Sequence, residues 1–454
     1  MFDITFIDVP NLEINNSGEL NQLLTNYYES CKKITQKVTG YDVMEKPFNY
    51  TLGLLCLSTY IKEHGYKVGY INMNTDGESF EYIVKNSNII CFSPMTITVD
   101  CIIKLINDAK LINNTVKVIV GGYHASYMIK ELFASCAGLD LIIIGEGERQ
   151  VINYLDGMEL SKILGIAYRN GNEIIINDSE TPLEENQIPS PDFSLIGSRM
   201  NMFNIHITTM RGCIGKCHFC VNQNYWGRPR FVPLDRVKKD ITYLNKNLPE
   251  GTLIHISDNV FTYNKKRFKE VARVIDNYGR KFIYECDTLS SLVDEEVVKI
   301  LSKIGVIKIH LGFEDCVDDI LKMANKSVNH IQNLNAINII AQVSKNICIY
   351  AYWLIGLPGT SKNTIEKNKQ EIKRLLLENH VHIISPKIFI PYPGTYFWDN
   401  AEKYGINILN FNWKEYERRF PPFPYRLEDL SSEEIYEEFK EIMYMCEDIY
   451  RNKQ

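Results

Sequence analysis

Read for the spacing of its apolar residues, the chain opens on short apolar runs that alternate with longer amphipathic ones. DITFIDV (3–9), KVGYINM (67–73), IICFSPM (89–95), KVIVGG (117–122) and LDLIIIGEGE (139–148) are nearly continuous in apolar residues, the pattern of parallel strands buried on both faces. GLLCLSTYIKEHG (53–65) and VDCIIKLINDAKLI (99–112) space them three and four apart, which predicts helices. This alternation predicts a doubly wound, Rossmann-like α/β domain. Asn170-Gly171, between GIAYR and NEIIIN, predicts a hairpin. ENQIPSPDFSLIG (185–197) has two prolines and no period. The first domain is therefore expected over 1–185 and a linker over 186–200.

The pattern then resumes. NIHITT (204–209), LIHISD (253–258), KFIYEC (281–286), IKIHLGFE (307–314), ICIYAYWLIG (347–356) and HIISPKIFI (382–390) read as strands. FKEVARVIDNYG (268–279) and DEEVVKILSKIG (294–305) read as helices between them. Six such units predict a partial (β/α)6 TIM-like barrel over 201–400. Barrel chemistry sits at the C-terminal ends of strands. The residues found there are a cysteine-rich loop after the first strand, Asp258 after the second, Cys286 and Asp287 at the third, Glu314 at the fourth and Gly356 at the fifth. The aromatic and proline-rich stretch FNWKEYERRFPPFPYR leads to a helix opened by Ser431 or Ser432, so 401–454 is expected to be a small helical cap.

Totals narrow the partners. A net charge of −6 over 454 residues carries no basic footprint for nucleic acid. No apolar run reaches the roughly 18 residues of a membrane span. MFDITFIDVP has no basic region ahead of its apolar stretch, so a signal peptide is not expected and a reduced, cytoplasmic compartment is. Of twelve cysteines only Cys213, Cys217 and Cys220 cluster, in RGCIGKCHFC. Cys56, Cys91, Cys101 and Cys348 lie within apolar runs, as small buried hydrophobes do.

Three thiolates spaced C-x3-C-x2-C suit a metal. A structural zinc would need a fourth ligand, for which His206, His218 and His255 are available, but no second C-x2-C accompanies the first. A thioredoxin-like pair leaves Cys213 unexplained. A four-iron cluster normally takes four cysteines. With three, one iron keeps an open position, the mark of a catalytic metal.

C-x3-C-x2-C after a first barrel strand, with Phe219 before the last cysteine, resembles the radical S-adenosylmethionine (SAM) superfamily. The resemblance implies a 4Fe-4S cluster on Cys213, Cys217 and Cys220. It implies SAM on the open iron, cleaved by one electron to a 5′-deoxyadenosyl radical. HISDNVFTYN, LGFEDCVDDILKMANKSV, LIGLPGTSKNTIEK and IPYPGTYFWDNAEKYG are similar to that family's later strand segments. On this basis Phe219, Asp258, Asn259, Glu314, Gly356, Leu357, Pro358 and Gly359 are expected to position SAM, Glu314 at the ribose. Taken singly, Glu314 and Asp258 could be helix caps and the glycines a plain turn.

In the first domain no G-x-G-x-x-G follows the first strand, which disfavours a dinucleotide. PFNYTLGLLCLSTYIKEHGY, VGGYHAS and IIGEGE together resemble the cobalamin-binding domain fused to many radical enzymes. That likeness implies cobalamin contacts from Ser93, Thr96, Gly121, Gly122, His124, Gly145, Glu146, Gly147 and Glu148. Otherwise His124 is a satisfied loop residue, and Glu146 and Glu148 are charges at a helix start. The loop NMNTDGES lacks the Asp-x-His-x-x-Gly histidine that ligates cobalt in the methionine-synthase type. Cobalamin bound without a protein imidazole below is implied.

The two resemblances imply a cobalamin-dependent radical SAM enzyme of the class B methyltransferase kind. It would methylate an unactivated carbon of a small molecule or peptide precursor, with a flavodoxin or ferredoxin as electron donor. A cyclisation, oxidation or ring rearrangement with the same cofactors is the alternative enzyme. An iron–sulfur or corrin sensor is the alternative without catalysis. A methylthiotransferase is disfavoured because no second cysteine triplet occurs in the first domain.

Overall fold

A computed structural model describes residues 1–9, 19–43, 46–378 and 380–453. Contacts divide the chain into two compact units.

In the first unit the apolar runs form β1 (Phe2–Asp8), β2 (Val68–Asn72), β3 (Ser87–Phe92), β4 (Lys117–Val120) and β5 (Leu141–Ile143), followed by β6 (Ile166–Asn170) and β7 (Glu173–Ile176). They make one sheet in the order β2-β1-β3-β4-β5-β6-β7. β1 to β5 pair parallel, while β6 and β7 are antiparallel additions joined at Asn170 and Glu173. Ile4, Phe6, Ile90, Val118 and Ile142 are fully buried, as a sheet covered on both faces demands. Helices Leu52–Glu63 and Val99–Ile112 fall where the three-and-four spacing put them. Among residues 185–202 only short 3-10 turns form.

The second unit is built on β8 (Ile205–Ile207), a two-stranded ladder of β9 (Met210–Arg211) with β10 (Arg230–Phe231), then β11 (Leu253–Ile256), β12 (Ile283–Thr288), β13 (Val306–Glu314), β14 (Cys348–Ile355) and β15 (Ile383–Ile388). β8 and β11 to β15 form a six-stranded parallel sheet in chain order, with β8 and β15 as its edges. This is the open (β/α)6 barrel. Its intervening helices start on side-chain caps: Asn264 accepts from the Arg267 amide, Asp294 from the Val297 amide and Ser361 from the Thr364 amide.

Two features depart from the expected plan. Helix Glu19–Thr39 lies within the stretch assigned by its order to the first domain, yet it belongs to the second unit. Its Tyr27 hydroxyl donates to the Ile384 carbonyl and its Thr35 hydroxyl lies 3.9 Å from Cys348 Sγ. Cys348 opens β14 and Ile384 lies near the start of β15, so the helix packs at the N-terminal end of the barrel. The tail forms β16 (Ile406–Ile408) with β17 (Tyr425–Leu427) and the helix Ser432–Lys453. Ser431 Oγ accepts from the Glu434 amide while Glu434 accepts from the Ser431 amide, a reciprocal cap. That helix buries Ile435, Phe439, Ile442, Cys446 and Tyr450, and Tyr450 accepts from the Ile384 amide at 2.7 Å. It is a packed side layer of the barrel.

Candidate functional site

The cysteine loop leaves the barrel at Thr208–Met210. Asp258, two residues after β11, is 1% exposed and accepts from the amides of Thr209 (2.6 Å) and Met210 (3.0 Å) and from the hydroxyls of Thr208 and Thr209. Burial raises its carboxyl to about 6 against those four donors. Gly212 sits at φ +91°, and a Cβ there would stand 2.7 Å from the Arg228 carbonyl oxygen, so only glycine lets the two legs of the loop close.

The loop is then sewn to the turn that follows β13. The His218 amide donates to the Ala324 carbonyl at 2.9 Å, and its carbonyl accepts from Phe397 at 3.0 Å. His218 Nδ1 lies 2.9 Å from the Met323 carbonyl, its ring stacks on Tyr396 at 4.1 Å, and Asn325 Nδ2 donates to the Lys216 carbonyl at 2.8 Å. His218 is thus a strut of the loop. Asn259 accepts from Asn222 at 2.7 Å and donates to the Gly212 carbonyl.

On this scaffold the three thiols share one face. A Cβ on Gly215 would stand 3.4 Å from Cys213 Sγ and 3.7 Å from Cys217 Sγ. Among the described residues the sulfurs are not a set with all ligand atoms within 4.8 Å. A tetrahedral zinc would hold its sulfurs about 3.8 Å apart. Burial raises all three thiols, Cys217 to about 12, and a metal bound as thiolate would have to overcome that.

The countercharge is Lys326, which the sequence reading passed over. Its Nζ donates to Glu314 Oε1 at 2.8 Å and lies 5.9 Å from the centre of the Phe219 ring. Burial opposes its charge, but Glu314, Cys217 and Cys220 hold it above the usual lysine range. Glu314 ends β13 at a register break with φ +64°. That left-handed backbone is strained for a residue with a side chain, and it brings the carboxylate to Lys326. The Gly356–Gly359 turn joins β14 to helix Lys362–Leu377. Gly356 has φ +83° with Tyr425 Oη and Ile435 Cγ2 each 3.0 Å from any Cβ, Leu357 is fully buried, and the Thr360 amide closes the turn on the Leu357 carbonyl. Packing thus fixes the conformation of the turn.

His206 and His255, the other zinc candidates, lie on β8 and β11 in register with each other. His255 meets Asp287 and Glu285 on β12 instead of the loop. Tyr284, Cys286 and Trp353 are fully buried packing residues.

In the first unit the loops after β3, β4 and β5 meet. His124 Nδ1 is 3.2 Å from Thr96 Oγ1, and the Gly145 amide donates to Ser126 Oγ at 3.0 Å. A Cβ on Gly122 would strike Ser93 Oγ at 2.4 Å, while one on Gly145 would find open space. Gly121 precedes helix Gly122–Tyr127, and Glu148 opens helix Glu148–Leu155 just after Glu146 and Gly147. His124 is 2% exposed, and burial lowers it to about 3, so it is neutral. Tyr225 donates to the Gly145 carbonyl at 2.9 Å and packs against Tyr123 with ring centres 4.2 Å apart, the rings tilted by 43°. Bare backbone, uncharged donors and aromatic faces fit a broad ligand edged with amides. No imidazole occurs in the loop after β2. Asp8, unremarked in the sequence, gathers Thr51, Tyr70 and Asn72 at the end of β1.

Comparison with known proteins bears on both halves. The B12 binding domain family matches residues 46–154, and the radical SAM superfamily matches residues 207–372. The chain carries a B12 binding domain followed by a radical SAM domain. Its cofactors are a 4Fe-4S cluster, SAM and cobalamin. It is 27% identical over 342 residues to an uncharacterized methyltransferase of Pyrococcus horikoshii, covering 72% of this chain and 71% of that one. An anaerobic magnesium-protoporphyrin IX monomethyl ester cyclase of Cereibacter sphaeroides is 24% identical, over 66% of this chain and 52% of its own length, so the chain spans about half of that relative. The solved radical SAM methyltransferase TsrM of Kitasatospora setae, with cobalamin and a [4Fe-4S] cluster bound, superposes with a TM-score of 0.69 over 95% of this chain and 85% of that one at 14% identity, a likeness of fold. Among the described residues no helix is long and apolar enough to cross a membrane.

Proposed function

We propose that this enzyme is a C-methyltransferase that acts on an unactivated carbon of a small molecule or a peptide precursor. The observation that carries the reading is the three-thiol loop, with a buried Lys326–Glu314 pair beside it, in a chain that also holds a B12 binding domain. The relative named a methyltransferase and the structural neighbour TsrM support it.

Cys213, Cys217 and Cys220 would hold the cluster and leave one iron to SAM. Bound together, the cofactors supply a hydrogen-abstracting radical and a transferable methyl group. The chain supplies position and charge. Asp258 fixes the root of the loop, His218 and Asn325 fix its far side, and Lys326 offsets the thiolates. Lys326 engages Glu314 Oε1, which leaves Oε2 for a ribose hydroxyl. The glycine turn after β14 offers backbone to the adenine. Ser93, Thr96, His124 and the glycines of the GGYH and GEGE loops would contact cobalamin. An external one-electron donor of the flavodoxin or ferredoxin type and a reducing cytoplasm complete this reading, which the twelve free cysteines suit.

The relative named a cyclase favours a second reading, ring closure with the same cofactors. Anaerobic reconstitution with iron, sulfide and cobalamin, followed by SAM, reductant and candidate substrates, separates the two. Methyl transfer gives a product heavier by one methyl group together with 5′-deoxyadenosine. Deoxyadenosine with an unmethylated, cyclised product overturns it. Replacing Cys213 by Ala should remove deoxyadenosine formation completely while cobalamin uptake, read by absorbance, is unchanged.

A further inference from the structure

The inner wall of a (β/α) barrel is normally packed with Val, Ile and Leu. Here alternate positions of three neighbouring strands are charged or titratable. On β11 His255 pairs in register with Glu285 of β12, and Asp287 of β12 with His310 of β13. Ile256, Cys286 and Ile309, which alternate with them, are fully buried and take the opposite face. His255, Asp287 and His310 bring one ligand atom each to within 4.8 Å of the others, the single such set among the described residues.

The spacings are those of a coordination sphere. His255 Nε2 is 3.2 Å from Asp287 Oδ2, and His310 Nδ1 is 3.5 Å from Asp287 Oδ1. Ligands at about 2.0–2.1 Å from a tetrahedral ion are roughly 3.3 Å apart. The second nitrogen of each imidazole turns to one carboxylate: His255 Nδ1 is 3.2 Å from Glu285 Oε1, and His310 Nε2 is 3.7 Å from Glu285 Oε2. Metal-bound histidines are oriented by such a carboxylate behind them. Lys308 Nζ, 2.9 Å from Glu285 Oε2, balances its charge. Lys308 and Tyr350, which adjoin the cluster, also line a cavity of about 330 Å³ with residues of helix Glu19–Thr39.

We propose that His255, Asp287 and His310 form a second metal site, for a divalent first-row transition ion, inside the barrel. Two imidazoles and a carboxylate suit zinc or ferrous iron. Three protein ligands leave positions open, so the ion is placed to take an oxygen or nitrogen donor of a bound substrate. No cysteine of the triplet is a ligand, and the site stands whether or not the enzyme transfers methyl groups.

The test uses the full-length chain with Cys213, Cys217 and Cys220 all changed to Ser, stripped with chelator and titrated anaerobically with Co2+. One equivalent should bind, with the intense visible bands of a four- or five-coordinate ion. Glu285→Gln should weaken binding about 10–100-fold, and Asp287→Asn should abolish it. A chain with native circular dichroism that takes up no cobalt, or an Asp287→Asn chain that binds as tightly as its parent, overturns the proposal. Should the triple variant not fold, the reconstituted wild-type enzyme decides. After incubation with Zn2+ and gel filtration it should carry one zinc beyond its iron, and zinc absent by elemental analysis overturns the site.

Discussion

The cysteine loop at the barrel rim and the histidine–carboxylate cluster within the barrel are both polar groups held in a largely buried setting, and they are assembled differently. The rim takes its three thiols from one short loop and imports a single buried ion pair, Lys326 with Glu314, whose side chains are 6% and 9% exposed. The inner cluster takes His255, Asp287 and His310 from three strands separated by whole helices, and its charges face one another. Without metal the inner cluster neutralises itself: burial works against His255, but Asp287 and Glu285 raise it to about 9, and the histidines in turn lower Asp287 to about 2. At the rim Lys326 and Glu314 balance each other, and burial raises the three thiols. The inner cluster spreads its charge over three strands, whereas the rim confines it to one ion pair beside groups that burial holds neutral.

The largest effect that would break this contrast is at Lys326. Lys326→Met leaves Glu314 buried beside no cation, which costs about 3–5 kcal/mol, read as a lowered denaturation midpoint. Pairing it with Glu314→Gln should restore most of that stability, because both charges are then gone. Iron loading should remain poor in the double variant if Lys326 offsets the thiolates. Full iron content there would reduce Lys326 to a structural partner of Glu314.

The same contrast explains what could be read in advance. The triplet was legible because its ligands are contiguous, and the six barrel strands because each carries its own apolar run. Glu314, Asp258 and the glycine turn were found from their places at strand ends. Lys326 was missed because it lies twelve positions beyond Glu314 in a stretch with no period of its own, and only the turn after β13 folds it back. His310 was missed because nothing in IKIHLGFE sets it apart until strand pairing places it opposite Asp287. Helix Glu19–Thr39 carries Leu20, Leu23, Leu24, Tyr27, Cys31 and Ile34 on one buried face. Its three-and-four spacing was there to be found, but its membership of the second unit depends on contacts far along the chain.

A pH titration of the metal-free chain with Cys213, Cys217 and Cys220 changed to Ser comes next in size. His255 titrates near 9 in the fold against 6.5 when unfolded. Its contribution is complete below 6.5 and is lost as pH rises through 9, about 3 kcal/mol in all. Asp287 acts at the other end: its contribution is present above 3.8 and is lost as pH falls towards 2. The inner cluster should therefore stabilise most between about 4 and 6.5. Denaturant midpoints should fall between pH 7 and 10 for the parent and stay flatter for His255→Gln. Equal slopes in the two would show that His255 is not held charged by its carboxylates.

The smallest expected effect sharpens the rim. His218 stands between two of the cluster cysteines and was a candidate fourth ligand on sequence alone. In the fold its ring stacks on Tyr396 at 4.1 Å and its Nδ1 faces the Met323 carbonyl, while its main chain makes the loop's two anchoring bonds. His218→Ala keeps the main-chain bonds and loses only the ring, so it should cost about 1 kcal/mol. Iron content and deoxyadenosine formation should match the parent. Loss of the cluster in this variant would mean that the imidazole binds metal, and the vacancy that makes the three-cysteine site reactive would be filled by the protein itself.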